Sequence, residues 1–145
     1  MKSILDVPAT LERLETLGVG VAGYRTGRFP GFYLADSGHP VPWRLDSPEQ
    51  VAAALRARAE LGVESALVLA NPLPEAEQLD PELHARVLAE SLAAADRAGI
   101  RGRDVTPFLL ARFHAETGGE SLRANVRLVL ANARLAARIA VAAAA

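Results

Sequence analysis

At four places in this chain a proline follows, by one or two positions, a residue that can cap a helix, and this pattern predicts where helices begin. Proline lacks a backbone N–H and has a fixed φ, so it fits the first turn of a helix, where Ser, Thr and Asp accept hydrogen bonds from free amides. The four starts are Asp6-Val7-Pro8, Ser47-Pro48, Asp80-Pro81 and Thr106-Pro107. A long Ala- and Leu-rich segment, capped by Ser121, predicts a fifth helix that continues to the C-terminus.

Glycines indicate where the first four helices end, because glycine enters the left-handed conformation of a helix C-terminus without cost. The expected ends lie at Gly18, Gly62, Gly99 and the pair Gly118-Gly119. At the second start, Ser47 and Gln50 predict a capping box in which each side chain bonds the other's backbone amide.

Short apolar runs rich in β-branched or aromatic residues separate the first helices. Residues 19–24 and 65–70 predict two buried strands, and residues 31–34 and 41–45 predict a pair of shorter strands at a sheet edge. Strands that alternate with helices make the fold class α/β. The first helix of such a fold normally follows a strand, so we expect a strand that has been lost upstream or is supplied by another chain.

Composition excludes several classes of function. Half of the 145 residues are hydrophobic and 23% are charged, which is typical of a globular protein. The formal net charge is −1 and the basic residues are scattered, so we expect no nucleic-acid partner. The absence of cysteine excludes disulfides and fits a cytoplasmic protein. No signal peptide is recognisable, and the apolar residues 139–145 are too few to span a bilayer, so no membrane contact is expected.

A lysine and three asparagines are the candidates for chemistry. Lys2 precedes a helix N-terminus, where it could hold an anion or form an imine, although a terminal lysine is more often a solvated charge. Asn71 follows a predicted buried strand, where α/β sites gather, yet Asn-Pro also makes a rigid turn. Asn125 and Asn132 share one face of the last helix, which indicates either a functional amide or one bonded to a neighbouring backbone.

Other residue types give weaker signals. The three histidines, His39, His84 and His114, show no ligand spacing, and no carboxylates pair as a metal or acid–base site, so no metal ligand is predicted in this chain. An aromatic cluster in the strand region is more typical of a core or a subunit interface than of a base-stacking site. Its members are Tyr24, Phe29, Phe32, Tyr33 and Trp43.

Ordered blocks along the whole chain resemble one family. The blocks are KSILDVPATLE (2–12), LETLGV (14–19), DSPE (46–49), NPLPE (71–75), GIRG (99–102), VTPFLL (105–110), TGGESL (117–122) and NARLAA (132–137). They resemble the pseudouridine-5'-phosphate glycosidases, also called indigoidine synthase A-like proteins. The resemblance covers about the C-terminal half of a family member, so residues 1–145 are expected to form that half, with the N-terminal half absent from the chain.

The resemblance implies roles for two residues. The family's catalytic lysine precedes a Ser-Ile-Leu-Asp segment, so Lys2 is implied to be the nucleophile that forms an imine with C1' of ring-opened ribose 5-phosphate. Asn125 matches a family asparagine that faces the base, so it is implied to bind uracil, the substrate base, through its side-chain amide. Ala131 departs from the family, which commonly has an asparagine at that position.

The resemblance also implies a fold, a cofactor and an assembly. The fold would be half of an α/β/α sandwich, with a small strand pair and a helical C-terminal region. The reaction would interconvert pseudouridine 5'-phosphate plus water with uracil and ribose 5-phosphate. The general acid–base glutamate, the aspartate that anchors Mn²⁺ and a phosphate-holding lysine belong to the missing half. The intact enzyme is implied to be a cytoplasmic homotrimer.

Two alternatives stay open from the sequence. The chain could be a non-catalytic fragment or one subunit of a split protein. It could also belong to a C-glycosynthase that joins ribose 5-phosphate to an aromatic acceptor, because the same imine serves cleavage and synthesis. In each case we expect this chain alone to be inactive.

Overall fold

The computed structural model describes residues 6–145, which form five α-helices and three strands. The helices are α1 (Val7–Thr16), α2 (Pro48–Glu60), α3 (Pro81–Arg97), α4 (Val105–Glu116) and α5 (Glu120–Ala144). The strands are β1 (Gly20–Tyr24), β2 (Trp43–Leu45) and β3 (Leu67–Ala70). The α/β class expected from the sequence is confirmed. Among residues 6–145, no helix combines the length and the apolar character needed to cross a membrane.

The three strands form one parallel sheet in the order β2-β1-β3. Side chains alternate between the two faces of a strand, so each face of the sheet takes its own helices. On one face, Val21 shares a buried cluster with Val7 of α1. On the other face, Tyr24 is buried with Val51 of α2 and Leu135 of α5. Helices therefore cover both faces, which gives α/β/α layering.

A second core lies among the C-terminal helices. Leu109 and Phe113 of α4 are fully buried and cluster with Val87 of α3 and Leu128 of α5. Tyr33 enters this core from the loop after β1, and its ring stacks on Phe113 at 5.5 Å between centroids. This cluster makes the helical C-terminal region expected from the sequence.

The predicted pair of short edge strands is wrong. Residues 31–34 form a tight bend, in which the Gly31 N–H donates to the Leu34 carbonyl at 2.9 Å and Phe32 has a left-handed φ of 65°. The bend turns Tyr33 into the helical core, and this burial outweighs the β-propensity of the aromatic residues. Of residues 41–45, only Trp43–Leu45 is a strand, and it pairs in parallel with β1 at the sheet edge.

Three of the predicted helix caps are confirmed. The side chains of Asp6, Ser47 and Asp80 accept from backbone amides three residues later, at 2.9, 3.3 and 2.8 Å. The capping box is only half right, because the Gln50 side chain accepts from the Asp46 N–H at 2.7 Å and not from that of Ser47. Helix α4 begins at Val105, one residue before the predicted Thr106, and has no side-chain cap.

Ser121 does not cap the last helix. Helix α5 begins at Glu120, and its N-cap residue is Gly119, which has a left-handed φ and no side chain that could accept a hydrogen bond. Thr117 takes the capping role, because its Oγ1 accepts from the Ser121 N–H at 3.1 Å. The prediction failed because the chain reverses through Gly118 and Gly119, which brings Thr117 over the first turn of α5.

Candidate functional site

All three asparagines of the chain line one cavity of about 180 Å³. Asn71 directly follows β3, so it lies at the carboxyl end of the parallel sheet. Asn125 and Asn132 lie two helical turns apart on α5 and reach the cavity from the same face of that helix. Ligand sites in open α/β sheets lie outside the carboxyl ends of the strands, which is where this cavity opens.

The rest of the cavity wall is apolar. It includes Phe29 and Phe32 from the loop after β1, Ala70 from the end of β3, and Leu128 and Val129 from α5. A volume of about 180 Å³ equals about six waters at roughly 30 Å³ each, which suits one small planar ring. Carbon walls with a few convergent amides are typical of a site for a small, uncharged, hydrogen-bonding group.

Two of the asparagines bond each other. The Asn71 Nδ2 donates to the Asn132 Oδ1 at 3.0 Å, across 61 positions of sequence. A side-chain amide carries one acceptor oxygen and an NH₂ group with two N–H donors. The contact therefore leaves the Asn71 oxygen and the Asn132 NH₂ group available at the cavity.

The N-terminus of α1 lies at the same end of the sheet. Val7, its first residue, belongs to the buried cluster of Phe29 and Ala70, which both line the cavity. The chain therefore enters α1 near the cavity wall. Lys2, the predicted nucleophile, lies outside the described residues, four positions before Asp6.

The buried titratable groups support the fold and do not line the cavity. Burial lowers the pKa of His84, which packs near Phe113 with ring centroids 5.4 Å apart. Burial also raises the pKa of Tyr33, partly offset by a side-chain hydrogen bond with Ser121. Both groups therefore stay neutral near pH 7 and stabilise the helical core.

The described residues do not form a metal cage. Within residues 6–145, no three His, Asp or Glu side chains come together in a way that could hold an ion. Hard divalent cations need several converging oxygen ligands. The arrangement that such a cation requires is therefore not found among residues 6–145.

A larger cavity of about 640 Å³ lies at the opposite, amino ends of the strands. Trp43, Val21 and Leu11 give it a mainly apolar wall. Arg58, the basic residue among the described residues that line it, donates to the carbonyls of Ser65 and Ala66 and holds the start of β3 in place. The Glu12 and Glu15 carboxylates of α1 also line this cavity. Because ligand sites of open α/β sheets lie at the carboxyl ends of the strands, the asparagine-lined cavity is the better candidate site.

Residues 1–142 match the family model described as indigoidine synthase A like protein. The chain belongs to the indigoidine synthase A-like family. Among its family relatives, the pseudouridine-5'-phosphate glycosidase of Salinispora tropica is 64% identical over 146 residues, and that of Streptomyces griseus is 61% identical over 145. These alignments cover 100% and 99% of this chain. The chain spans 45% of the length of each of these two relatives.

Solved structures agree with this assignment. The prealnumycin C-glycosynthase AlnA, in complex with ribulose 5-phosphate, superposes with a TM-score of 0.89 and 34% identity, over 98% of this chain and 47% of its own. An indigoidine synthase A-like protein from Thermotoga maritima gives a TM-score of 0.82 and 37% identity, over 97% of this chain and 46% of its own. The family resemblance seen in the sequence is confirmed.

The structure gathers some predicted site residues and adds others. Asn125 lies in the cavity as the family resemblance implied, and its role there remains a prediction. Asn71, which had both a functional and a turn interpretation, lies at the cavity and bonds Asn132. Phe29 and Phe32 were assigned to a core or interface, yet both also line the cavity. Their position in the loop after the first strand, at the carboxyl end of the sheet, was the signal that could have shown this.

Proposed function

We propose that this chain forms the C-terminal half of an enzyme that interconverts pseudouridine 5'-phosphate plus water with uracil and ribose 5-phosphate. Identity of 64% to a pseudouridine-5'-phosphate glycosidase along the whole chain carries the proposal. The cavity supports it independently, because amides on apolar walls suit an uncharged pyrimidine ring.

In the proposed mechanism Lys2 is the nucleophile. A carbon–carbon glycosidic bond has no leaving-group oxygen to protonate, so the two-carboxylate mechanism of ordinary glycosidases does not apply. In the synthetic direction the Lys2 amine condenses with the C1' aldehyde of open-chain ribose 5-phosphate, which gives an imine and water. Uracil C5 then attacks C1' and loses its proton, and the ribose 4'-hydroxyl displaces the lysine as the ring closes. Cleavage is the reverse.

The position of α1 supports this role for Lys2. Lys2 stands four positions before Asp6, and an extended chain spans at most about 3.6 Å per residue, so the Cα atoms of the two residues are at most about 15 Å apart. Because Val7 belongs to the same cluster as two cavity-lining residues, a lysine side chain at that distance can reach the cavity.

Asn125 is the proposed contact to the base. Its amide offers both a donor and an acceptor, which match the alternating C=O and N–H groups of uracil. Mn²⁺ is the proposed cofactor, and its ligands, the general acid–base and the phosphate-binding lysine are assigned to the other half of the domain. The described residues do not fit this ion, so none of the steps proposed here uses it. The complete enzyme is proposed to be a cytoplasmic homotrimer.

A C-glycosynthase with an aromatic acceptor is the second candidate, because AlnA superposes with a TM-score of 0.89. Sequence identity favours uracil, since it is 64% to a pseudouridine-5'-phosphate glycosidase and 34% to AlnA. Activity assays with uracil and with a fused aromatic acceptor in parallel distinguish the two functions.

Trapping the imine tests the proposal. The chain is supplied with the remaining part of the Salinispora tropica relative, in cis or in trans, then treated with ribose 5-phosphate and borohydride. Peptide mass mapping should find the reduced adduct on Lys2. Lys2→Ala should abolish uracil release, and Lys2→Arg should too, because a guanidinium stays protonated and cannot form the imine. Turnover by the alanine variant would refute the role of Lys2.

A further inference from the structure

We infer that Asn71 and Asn132 form a locked amide pair that selects the base by presenting a fixed hydrogen-bond donor at the cavity. This inference rests on the proposed function, and it concerns two residues with no assigned role. The observation behind it is that the chain has three asparagines, all three line one cavity, and two of them bond each other at 3.0 Å.

The physical effect of the pair is to remove a rotational freedom. A lone asparagine side chain can turn its amide by half a rotation and so offer either its oxygen or its NH₂ group to a ligand. In this structure the Asn132 oxygen accepts from the Asn71 Nδ2, so neither amide can turn without the other. In this arrangement the NH₂ group of Asn132 is the donor left for a ligand.

The two members of the pair come from different elements. Asn71 is held by the end of β3 and by Pro72, whose ring restricts the asparagine backbone to extended conformations. Asn132 lies on α5, two turns after Asn125. The end of a strand thus bonds the amide of a helical residue, and Asn71 acts as a positioning residue.

A fixed donor discriminates between bases that differ in one hydrogen-bonding group. Uracil offers carbonyl oxygens on both sides of its N3–H, whereas cytosine replaces one of these oxygens with an NH₂ group. A site that offers only an N–H donor at this position forms a hydrogen bond with the uracil carbonyl. When cytosine enters, its NH₂ group faces the N–H of the site, so two donors meet and no hydrogen bond forms. The pair therefore favours a base with a carbonyl oxygen at the position that meets Asn132.

The test exchanges the polarity of the pair. Asn71→Asp removes the Asn71 donor and adds an acceptor, so the Asn132 amide must turn its NH₂ group toward residue 71 and its oxygen toward the ligand. In the complemented protein, this variant should raise the KM for uracil about fivefold, the effect of one hydrogen bond in a partly exposed site. The advantage of uracil over cytosine, measured as competitive inhibition by cytosine, should fall by a similar factor.

The readouts separate this role from a merely structural one. The KM for ribose 5-phosphate and the yield of borohydride trapping should stay within about twofold of the parent protein, because Lys2 does not depend on the pair. Gln78→Ala is the matched control: it removes a side-chain amide that accepts from the Ala35 N–H at 2.9 Å and does not line the cavity. That variant should leave the uracil to cytosine ratio unchanged.

A second variant protects the test against misfolding. Asn132→Asp keeps an acceptor for Asn71 but deletes the donor that meets the base, so it should raise the KM for uracil in the same way. If either variant folds and keeps the parental preference for uracil over cytosine, the inference is refuted. The inference is also refuted if the KM values for uracil and for ribose 5-phosphate rise by the same factor.

A binding measurement keeps the inference separate from the proposed function. Uracil added to ¹⁵N-labelled protein should shift the side-chain NH₂ signals of Asn71 and Asn132, and Asn71→Asp should abolish the shift at residue 132. Shifts in a protein without turnover support the pair and contradict the proposed function. Turnover without these shifts, together with unchanged kinetics of the Asn71→Asp variant, contradicts the pair and leaves the proposed function standing. If neither shifts nor turnover are observed, the pair and the proposed function are both contradicted.

Discussion

The hydroxyl of Thr117 should hold the start of α5, and replacing it tests how the fold positions the cavity. Its Oγ1 donates to the Phe113 carbonyl at 2.6 Å and accepts from the Ser121 N–H at 3.1 Å. Thr117 and Ser121 are only 6% and 2% exposed, so water cannot replace these bonds. Thr117→Val keeps the shape of the side chain and replaces the hydroxyl with a methyl group.

The magnitude follows from which groups lose their partner. The Phe113 carbonyl still accepts from the Thr117 N–H at 3.1 Å, so only the Ser121 N–H is left buried without a partner. An unsatisfied buried donor costs about 1–3 kcal/mol, and the loss of a helix cap costs about 1 kcal/mol. The two values describe largely the same loss, so they are not added. We therefore expect Thr117→Val to lower the free energy of unfolding by about 2 kcal/mol.

Thr117→Ser is the matched control, because it keeps the hydroxyl and loses one methyl group. Burial of a methyl group contributes about 0.8 kcal/mol, so this variant should lose about 1 kcal/mol. Urea denaturation of the complemented protein, followed by circular dichroism, measures both. Asn125 lies one turn after Ser121, so the valine variant should also weaken uracil binding. If valine costs no more stability than serine, the hydroxyl is not the cap.

Three further predictions follow. The free energy of unfolding should fall as the pH drops from about 7.5 to about 5.5. Burial lowers the pKa of His84 in the folded protein, whereas the histidine of the unfolded chain gains a proton below about pH 6.5. His84→Leu should flatten the pH profile of the urea midpoint, and an unchanged slope would contradict this. The isolated chain should bind Mn²⁺ no more tightly than surface carboxylates do, so a tight stoichiometric site in calorimetry would contradict the assignment of the metal to the other half. The isolated chain should release no uracil from pseudouridine 5'-phosphate, whereas the complemented protein should, as measured by absorbance; activity of the chain alone would show an acid–base group within it.

Local interactions made the helix boundaries readable from the sequence. A cap joins residues three positions apart, as Asp6 does with the Ala9 N–H and Asp80 with the Leu83 N–H. The glycines at helix ends act just as locally, and Gly18, Gly62 and Gly99 all have a left-handed φ near 66°. Such contacts form whatever the rest of the chain does, so a pattern over a few residues is sufficient to predict them.

Non-local packing decided the structure at two places where the local sequence pattern predicted a different one. Residues 31–34 have strand-forming aromatic residues, but the stacking of Tyr33 on Phe113, eighty positions away, decides for a bend. Ser121 has the chemistry of a cap, but the reversal at Gly118 and Gly119 gives that role to Thr117. The free energy that decides each case comes from burial in the helical core, which no short pattern contains.

The sequence by itself determined the α/β class, three of the helix caps and the family, whereas the roles that the family resemblance implies for Lys2 and Asn125 stay predictions. Only the tertiary structure showed that Asn71 meets Asn132, because the sheet and α5 had to bring together residues 61 positions apart. A hydrogen bond of this kind depends on the register of β3 against β1 and on the packing of α5 over the sheet. Register and packing are properties of the whole fold, so the cavity and its amide pair became visible only when the fold was known.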